Sequence, residues 1–151
     1  MGLINKVLNV HSIRDITATS KDDAIRELCT IVSDNPVVRD IDSFYSAIRS
    51  REEIMSTGVG MGIAIPHAKT TSLQDFVMAV GRSKQGVDFE SLDGLPVHII
   101  ILIGANDTQG EEFLKVLAEI GRVFNNESFA RRFLEAKTPA AMLAIILKQL
   151  R

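Results

Sequence analysis

Apolar and polar positions along this chain follow two different periods. Ile25, Leu28, Cys29 and Val32 recur three and four residues apart, which sets them on one helical face. Ser20-Lys21-Asp22-Asp23 supplies a hydroxyl cap and early acids, so the first helix is predicted over residues 21–33. Asn35-Pro36 breaks it. A second stripe, Ile41, Phe44, Tyr45 and Ile48, predicts a helix starting near Asp40 or Asp42, with Arg49-Ser50-Arg51-Glu52-Glu53 as its polar end.

Short apolar runs follow. Residues 63–67 are strand-like, and residues 75–81 and 97–103, rich in β-branched side chains, read as strands, the last buried on both faces. Gly86 and Asp93-Gly94 mark turns between the second and third. Thr108-Gln109-Gly110-Glu111 then offers a capping box for a helix with Phe113, Val116, Leu117, Ile120 and Phe124 on one side. Asn126 and Thr138-Pro139 begin two further helices. Helices, then strands, then helices, with no repeat and no linker-like stretch, predict an α/β fold. Residues 1–151 form a single domain with a mixed central β-sheet flanked by helices on both faces.

Composition agrees with that picture. The 151 residues are 46% apolar and 24% charged, enough for a core without staples. The one cysteine, Cys29, falls on a core face, so a reducing, cytoplasmic setting is expected. The N-terminal run MGLINKVLNV lacks a cleavage site and no apolar stretch spans a bilayer, so neither export nor membrane insertion is expected. Seventeen Lys and Arg against nineteen Asp and Glu give a net charge of -2, without the basic surplus that nucleic acid requires; Arg131-Arg132 reads as a solvated pair. The last helix, with Met142, Leu143, Ile145, Ile146 and Leu147, is polar on little of its circumference, which either burial within the monomer or a homodimer contact explains.

Candidate chemistry concentrates at Ser56-Thr57-Gly58-Val59-Gly60-Met61-Gly62-Ile63-Ala64-Ile65-Pro66-His67. Glycines expose backbone N–H groups and admit close approach, which suits an anion, and a neutral imidazole at the end of the strand is a nucleophile near neutral pH. His67 is the candidate for attack on phosphorus. Arg51 offers a charged fork and Lys69 a point charge for phosphate oxygens, with Thr57, Gly58, Gly60 and Gly62 as further donors and Ser56 as an additional hydroxyl. The same features also fit a structural glycine turn and a structural histidine. His98 reads as a hydrogen-bonded core or edge residue and His11 as a loop residue. No histidine has a partner at ligand spacing, so no metal and no cofactor are implied, and neither a Gly-x-Ser-x-Gly elbow nor a Walker-type loop is present.

Arg51-Glu52-Glu53 with Ser56 to Lys69 closely resembles the active-site signature of the fructose/mannitol-type enzyme IIA domains of the bacterial phosphotransferase system (PTS). Gly86-Val87-Asp88-Phe89 and Leu92-Asp93-Gly94-Leu95-Pro96-Val97 extend the resemblance over nearly the whole chain. The resemblance implies a mixed sheet between helices and a phosphotransferase activity in which His67 takes a phosphoryl group from phospho-HPr or a nitrogen-branch HPr-like carrier, with Arg51 holding the phosphohistidine. Such domains usually carry a second histidine at the start of the helix after the central strand; Phe113 stands there, and it also reads simply as the first apolar residue of that helix. Neither Glu111 nor Glu112 replaces it, since carboxylates repel a phosphoryl group. A free-standing chain of this length looks more like the nitrogen-regulatory branch. The alternatives are a sugar-specific IIA that hands phosphate to an enzyme IIB, and a regulatory module that binds a target protein without being phosphorylated.

Overall fold

The computed structural model describes residues 2–150; Met1 and Arg151 lie outside it. The described chain runs α1 (Leu3–Val7), a 3-10 turn (Val10–Ser12), β1 (Ile13–Asp15), α2 (Lys21–Val32), α3 (Ile41–Ile54), β2 (Gly58–Gly60), β3 (Ile63–Ala64) and β4 (His67–Lys69). It continues through β5 (Val77–Val87), β6 (Val97–Ala105), a second 3-10 turn (Asp107–Gln109), α4 (Gly110–Phe124), α5 (Glu127–Glu135) and α6 (Pro139–Gln149).

The strands form one mixed sheet in the order β1-β5-β6-β3-β2, with β4 also paired to β6. β1 runs parallel to β5, β5 antiparallel to β6, and β3 and β4 both parallel to β6. β6 is the strand expected to be buried on both faces: Ile99, Ile100, Ile101, Leu102 and Ile103 are each at most 1% exposed. Because side chains alternate across a strand, Ile99, Ile101 and Ile103 join the core under α1, α4, α5 and α6, whereas Ile100 and Leu102 join the core under α2 and α3. Each such side chain contributes about 1.5–3 kcal/mol of burial. Helices therefore cover both faces, as the pattern predicts.

Ser20, Asp40, Asn126 and Thr138 cap α2, α3, α5 and α6, each accepting the N–H of the residue three positions on. α4 departs from expectation. Asn106 and Gln109 form the capping box, around the 3-10 turn Asp107–Gln109, and α4 starts only at Gly110 without a side-chain cap. The predicted strand over 63–67 is two strands, because Pro66 has no N–H for the ladder; its carbonyl still accepts Ile103 N–H at 3.1 Å. His67 consequently begins a strand instead of ending one. β5 runs past Gly81 to Val87, and Gly86, expected as a turn, sits inside it at φ 92° where the register with β6 shifts.

Within that extension Arg82, only 2% exposed, pairs with Asp15 on β1, Nε to Oδ1 at 2.6 Å. Its Nη1 donates to the carbonyls of Phe133, Leu134 and Ala136 at the end of α5. The guanidinium thus ties the sheet edge to the last helices. Cys29 is buried in the α2 core, and burial pushes its thiol up to about 12, so it is an inert packing group. In α6, Met142 and Ile146 are buried, and Leu143, Ile145 and the C-cap Leu150 pack partly against the same core.

Candidate functional site

β3 and β4 lie end to end along one side of β6: Ile63 pairs with Ile99, Ala64 with Ile100, His67 with Ile103 and Lys69 with Ala105. The period of two sends His67 and Lys69 to one face and Ala68 to the other, where it is buried under α3. α3 approaches closely because β6 has Gly104 at that point: a Cβ there would lie 2.5 Å from both Leu73 and Phe44. That approach brings the last turn of α3, with Arg51, to the edge of β4.

The His67 ring is half-buried and its Nδ1 lies 2.7 Å from the Ile65 carbonyl oxygen. A carbonyl can only accept, so Nδ1 carries the hydrogen and Nε2 keeps its lone pair. Burial lowers the proton affinity of the ring below the usual imidazole value; the Ile65 carbonyl opposes this, Arg51 adds to it and the Glu52 charge opposes it. The imidazole is therefore neutral at physiological pH. The Arg51 guanidinium is anchored by Nη1, which donates to the Met55 carbonyl at 2.8 Å.

Arg51, His67, Lys69, Phe113 and Leu114 line an open hollow of about 520 Å³, with Asp107 and Gly110 also on its wall. Lys69 reaches the start of α4: a Cβ on Gly110 would lie 3.4 Å from its Nζ. Two side-chain cations and the positive end of a fifteen-residue helix thus share this hollow with the nucleophilic ring. Phe113 is buried, its ring centroid 5.7 Å from that of His67 and 6.3 Å from that of Phe76.

The structure brings together His67, Arg51 and Lys69, and places the other nominated residues elsewhere. Gly58, Gly60 and Gly62 belong to the β2–β3 hairpin, which turns through Met61 at φ 60° and Gly62 at φ 73°. Gly58 has no room for a Cβ, which would lie 2.3 Å from Ser91 Oγ. Gly60 lines a separate hollow of about 410 Å³ with Met61, Ile65 and Phe124. The Thr57 hydroxyl donates to Glu52 and that of Ser56 to the Phe89 carbonyl. His98 holds the Ser83 carbonyl through Nδ1 at 2.8 Å, and His11 is exposed in the first 3-10 turn.

Glu52 is 4% exposed and paired with Lys21, which is also buried. Its neighbours in the chain, Arg49, Ser50, Arg51 and Glu53, mark the polar end of the helix. The signal was the phase of α3, since Glu52 continues the buried row of Phe44 and Ile48 at steps of four. Among the described residues no cluster of three or more His, Cys, Asp or Glu could hold a metal ion, and no helix is long and apolar enough to cross a membrane.

Residues 6–149 match the family described as phosphoenolpyruvate-dependent sugar phosphotransferase system, EIIA 2. This chain belongs to the type 2 enzyme IIA family of the PTS. It is 38% identical over 144 residues to the PTS system fructose-specific EIIABC component of Bacillus subtilis, covering 95% of this chain but 23% of that protein's length. It is 34% identical to the PTS system fructose-specific EIIA component of Haloferax volcanii, covering 87% of this chain and 84% of the relative. Nitrogen regulatory protein IIA-Ntr from Neisseria meningitidis superposes with a TM-score of 0.89 at 25% identity, over 96% of this chain and 99% of that one. The type 2 IIA fold is thus the frame that sets His67 at the sheet edge, and the chain is related to both fructose-specific and nitrogen-regulatory members.

Proposed function

We propose that this chain is a phosphocarrier in which His67 accepts a phosphoryl group from phospho-HPr or a nitrogen-branch HPr-like carrier. The observation that carries this reading is the Nδ1–H to Ile65 carbonyl bond, which aims the Nε2 lone pair away from the backbone. In the transfer, that lone pair forms the new N–P bond while the donor's N–P bond breaks and its electron pair returns to the donor ring. The acceptor ring gains positive character, which the Ile65 carbonyl stabilises through the Nδ1–H. Arg51 and Lys69 hold the phosphoryl oxygens in flight, where positioning and charge stabilisation do most of the work. Thr57 supports the site from behind, its carbonyl accepting the Ile65 N–H.

Incubation with phosphoenolpyruvate and the general PTS carriers tests this. A phosphate-sized mass gain, lost in His67→Ala, supports the carrier. No gain in the wild type leaves the reading in which Phe113 marks a module that acts by binding a target protein alone.

The use of the phosphate has two readings. The TM-score of 0.89 with the Neisseria nitrogen regulatory protein supports a regulatory signal, whereas the 38% identity to the Bacillus fructose-specific component supports transfer to an enzyme IIB in sugar uptake. Addition of candidate IIB proteins to the phosphorylated chain separates them: drainage by one IIB supports uptake, and retention against all of them supports signalling.

A further inference from the structure

Lys21 and Glu52 form an ion pair deep behind the candidate site. Lys21 opens α2 and Glu52 lies in the last turn of α3; Nζ and Oε1 are 2.9 Å apart, with the side chains 7% and 1% exposed. The ammonium also sits over the Phe89 ring, 5.2 Å from its centroid. Desolvation offsets much of the attraction in such a pair, so its role lies in what the pair holds.

Glu52 takes both donors of Thr57: the backbone N–H on Oε1 at 3.1 Å and the hydroxyl on Oε2. The Thr57 carbonyl accepts Ile65 N–H at 3.3 Å, and the Ile65 carbonyl accepts His67 Nδ1–H. Hydrogen bonds therefore run without a gap from Lys21 through Glu52, Thr57 and Ile65 to the imidazole.

Resting on the phosphocarrier reading, we propose that Glu52 and Lys21 are positioning residues for phosphoryl transfer. Glu52 fixes, through Thr57 and Ile65, the tautomer and angle at which His67 presents Nε2. Lys21 cancels the carboxylate charge that would otherwise oppose an incoming phosphoryl group. The charged groups that face His67 are Arg51 and Glu52 from α3, Lys69 from its own strand and Asp107 from the second 3-10 turn. Of these, Glu52 is bound to a buried counter-charge. A mere strut between two helices would change stability alone, leaving the ring's chemistry untouched.

Long-range proton–nitrogen NMR of the His67 ring reads the tautomer and titration midpoint without any phosphate. In Lys21→Met the midpoint is expected to rise, and phosphate uptake to slow by about tenfold, as an unbalanced carboxylate adds repulsion. Thr57→Val, which removes only the hydroxyl contact, is expected to mix the two ring tautomers and slow uptake; Thr57→Ser restores both. Folded Lys21→Met and Thr57→Val proteins with unchanged tautomer and midpoint, and uptake within about twofold of wild type, would overturn the proposal. If Lys21→Met does not fold, the Thr57 pair decides on its own. Absence of uptake by the wild type defeats the phosphocarrier reading instead, and the NMR result distinguishes the two failures.

Discussion

Phe113 faces His67 across the hollow, the two ring centroids 5.7 Å apart and the planes inclined by 51°. An aromatic wall on that side keeps water from the imidazole and offers no hydrogen bond to a phosphoryl oxygen. Phe113→His is expected to restore a donor there and lengthen the lifetime of the phosphorylated protein by about tenfold, the worth of one bond to a charged group. The same change puts a polar ring where Phe76 packs, so the melting temperature is expected to fall. Loss of phosphate followed by mass spectrometry at fixed pH measures the first effect, and thermal denaturation the second.

The pH dependence follows from burial of His67. Its proton affinity in the fold is below the usual value of 6.5, so the folded state binds the proton less well than the unfolded chain does. This contribution to stability is present in full above the unfolded value and is lost as pH falls through it toward the lower folded value. Between pH 7.5 and pH 5.5, the urea midpoint of wild type is expected to drop more than that of His67→Ala. The acid limb of the uptake rate is likewise expected to lie below pH 6.5.

Arg82 joins β5 to β1 and to the end of α5, and its loss strips a donor from three carbonyls at once. Arg82→Met is expected to destabilise the protein by about 2–4 kcal/mol. Asp15→Asn is expected to cost about 1 kcal/mol or less, since half of that side chain is exposed to water. Urea titrations of the two variants check the ranking.

Gly104 controls how close α3 comes to the sheet, and through it where Arg51 stands. Gly104→Ala meets Leu73 and Phe44 at 2.5 Å and is expected to cost about 1–3 kcal/mol. Because the same contact seats α3 beside β4, uptake by the folded fraction is expected to slow as well. Arg51→Ala, which leaves the packing intact, is expected to slow uptake without lowering stability; unaltered kinetics would remove Arg51 from the site.

Much of this was legible in the chain because period and punctuation agree: stripes at helical spacing behind Ser20, Asp40, Asn126 and Thr138 became capped helices, and residues 97–103 became the central strand. His67, Arg51 and Lys69 were also readable, and they meet in one hollow. What escaped depends on contacts far apart in sequence. α1 and β1 are too short to show a period, and the polar yet buried Arg82 and Ser83 hide the full length of β5 from the pattern. Glu52 looks solvated until Lys21, thirty-one positions away, is seen against it. The glycines were readable as a place of close backbone approach, but the neighbour of Gly58 is Ser91.

The central claim is that Nε2 of His67 carries the phosphate. Nitrogen-15 labelling of histidine, phosphorylation by the general PTS carriers, and long-range proton–nitrogen correlation of the product test it most directly. The expected result is phosphorus coupling to Nε2 of His67, with Nδ1 still protonated. Coupling to Nδ1, to His11 or to His98 would contradict it.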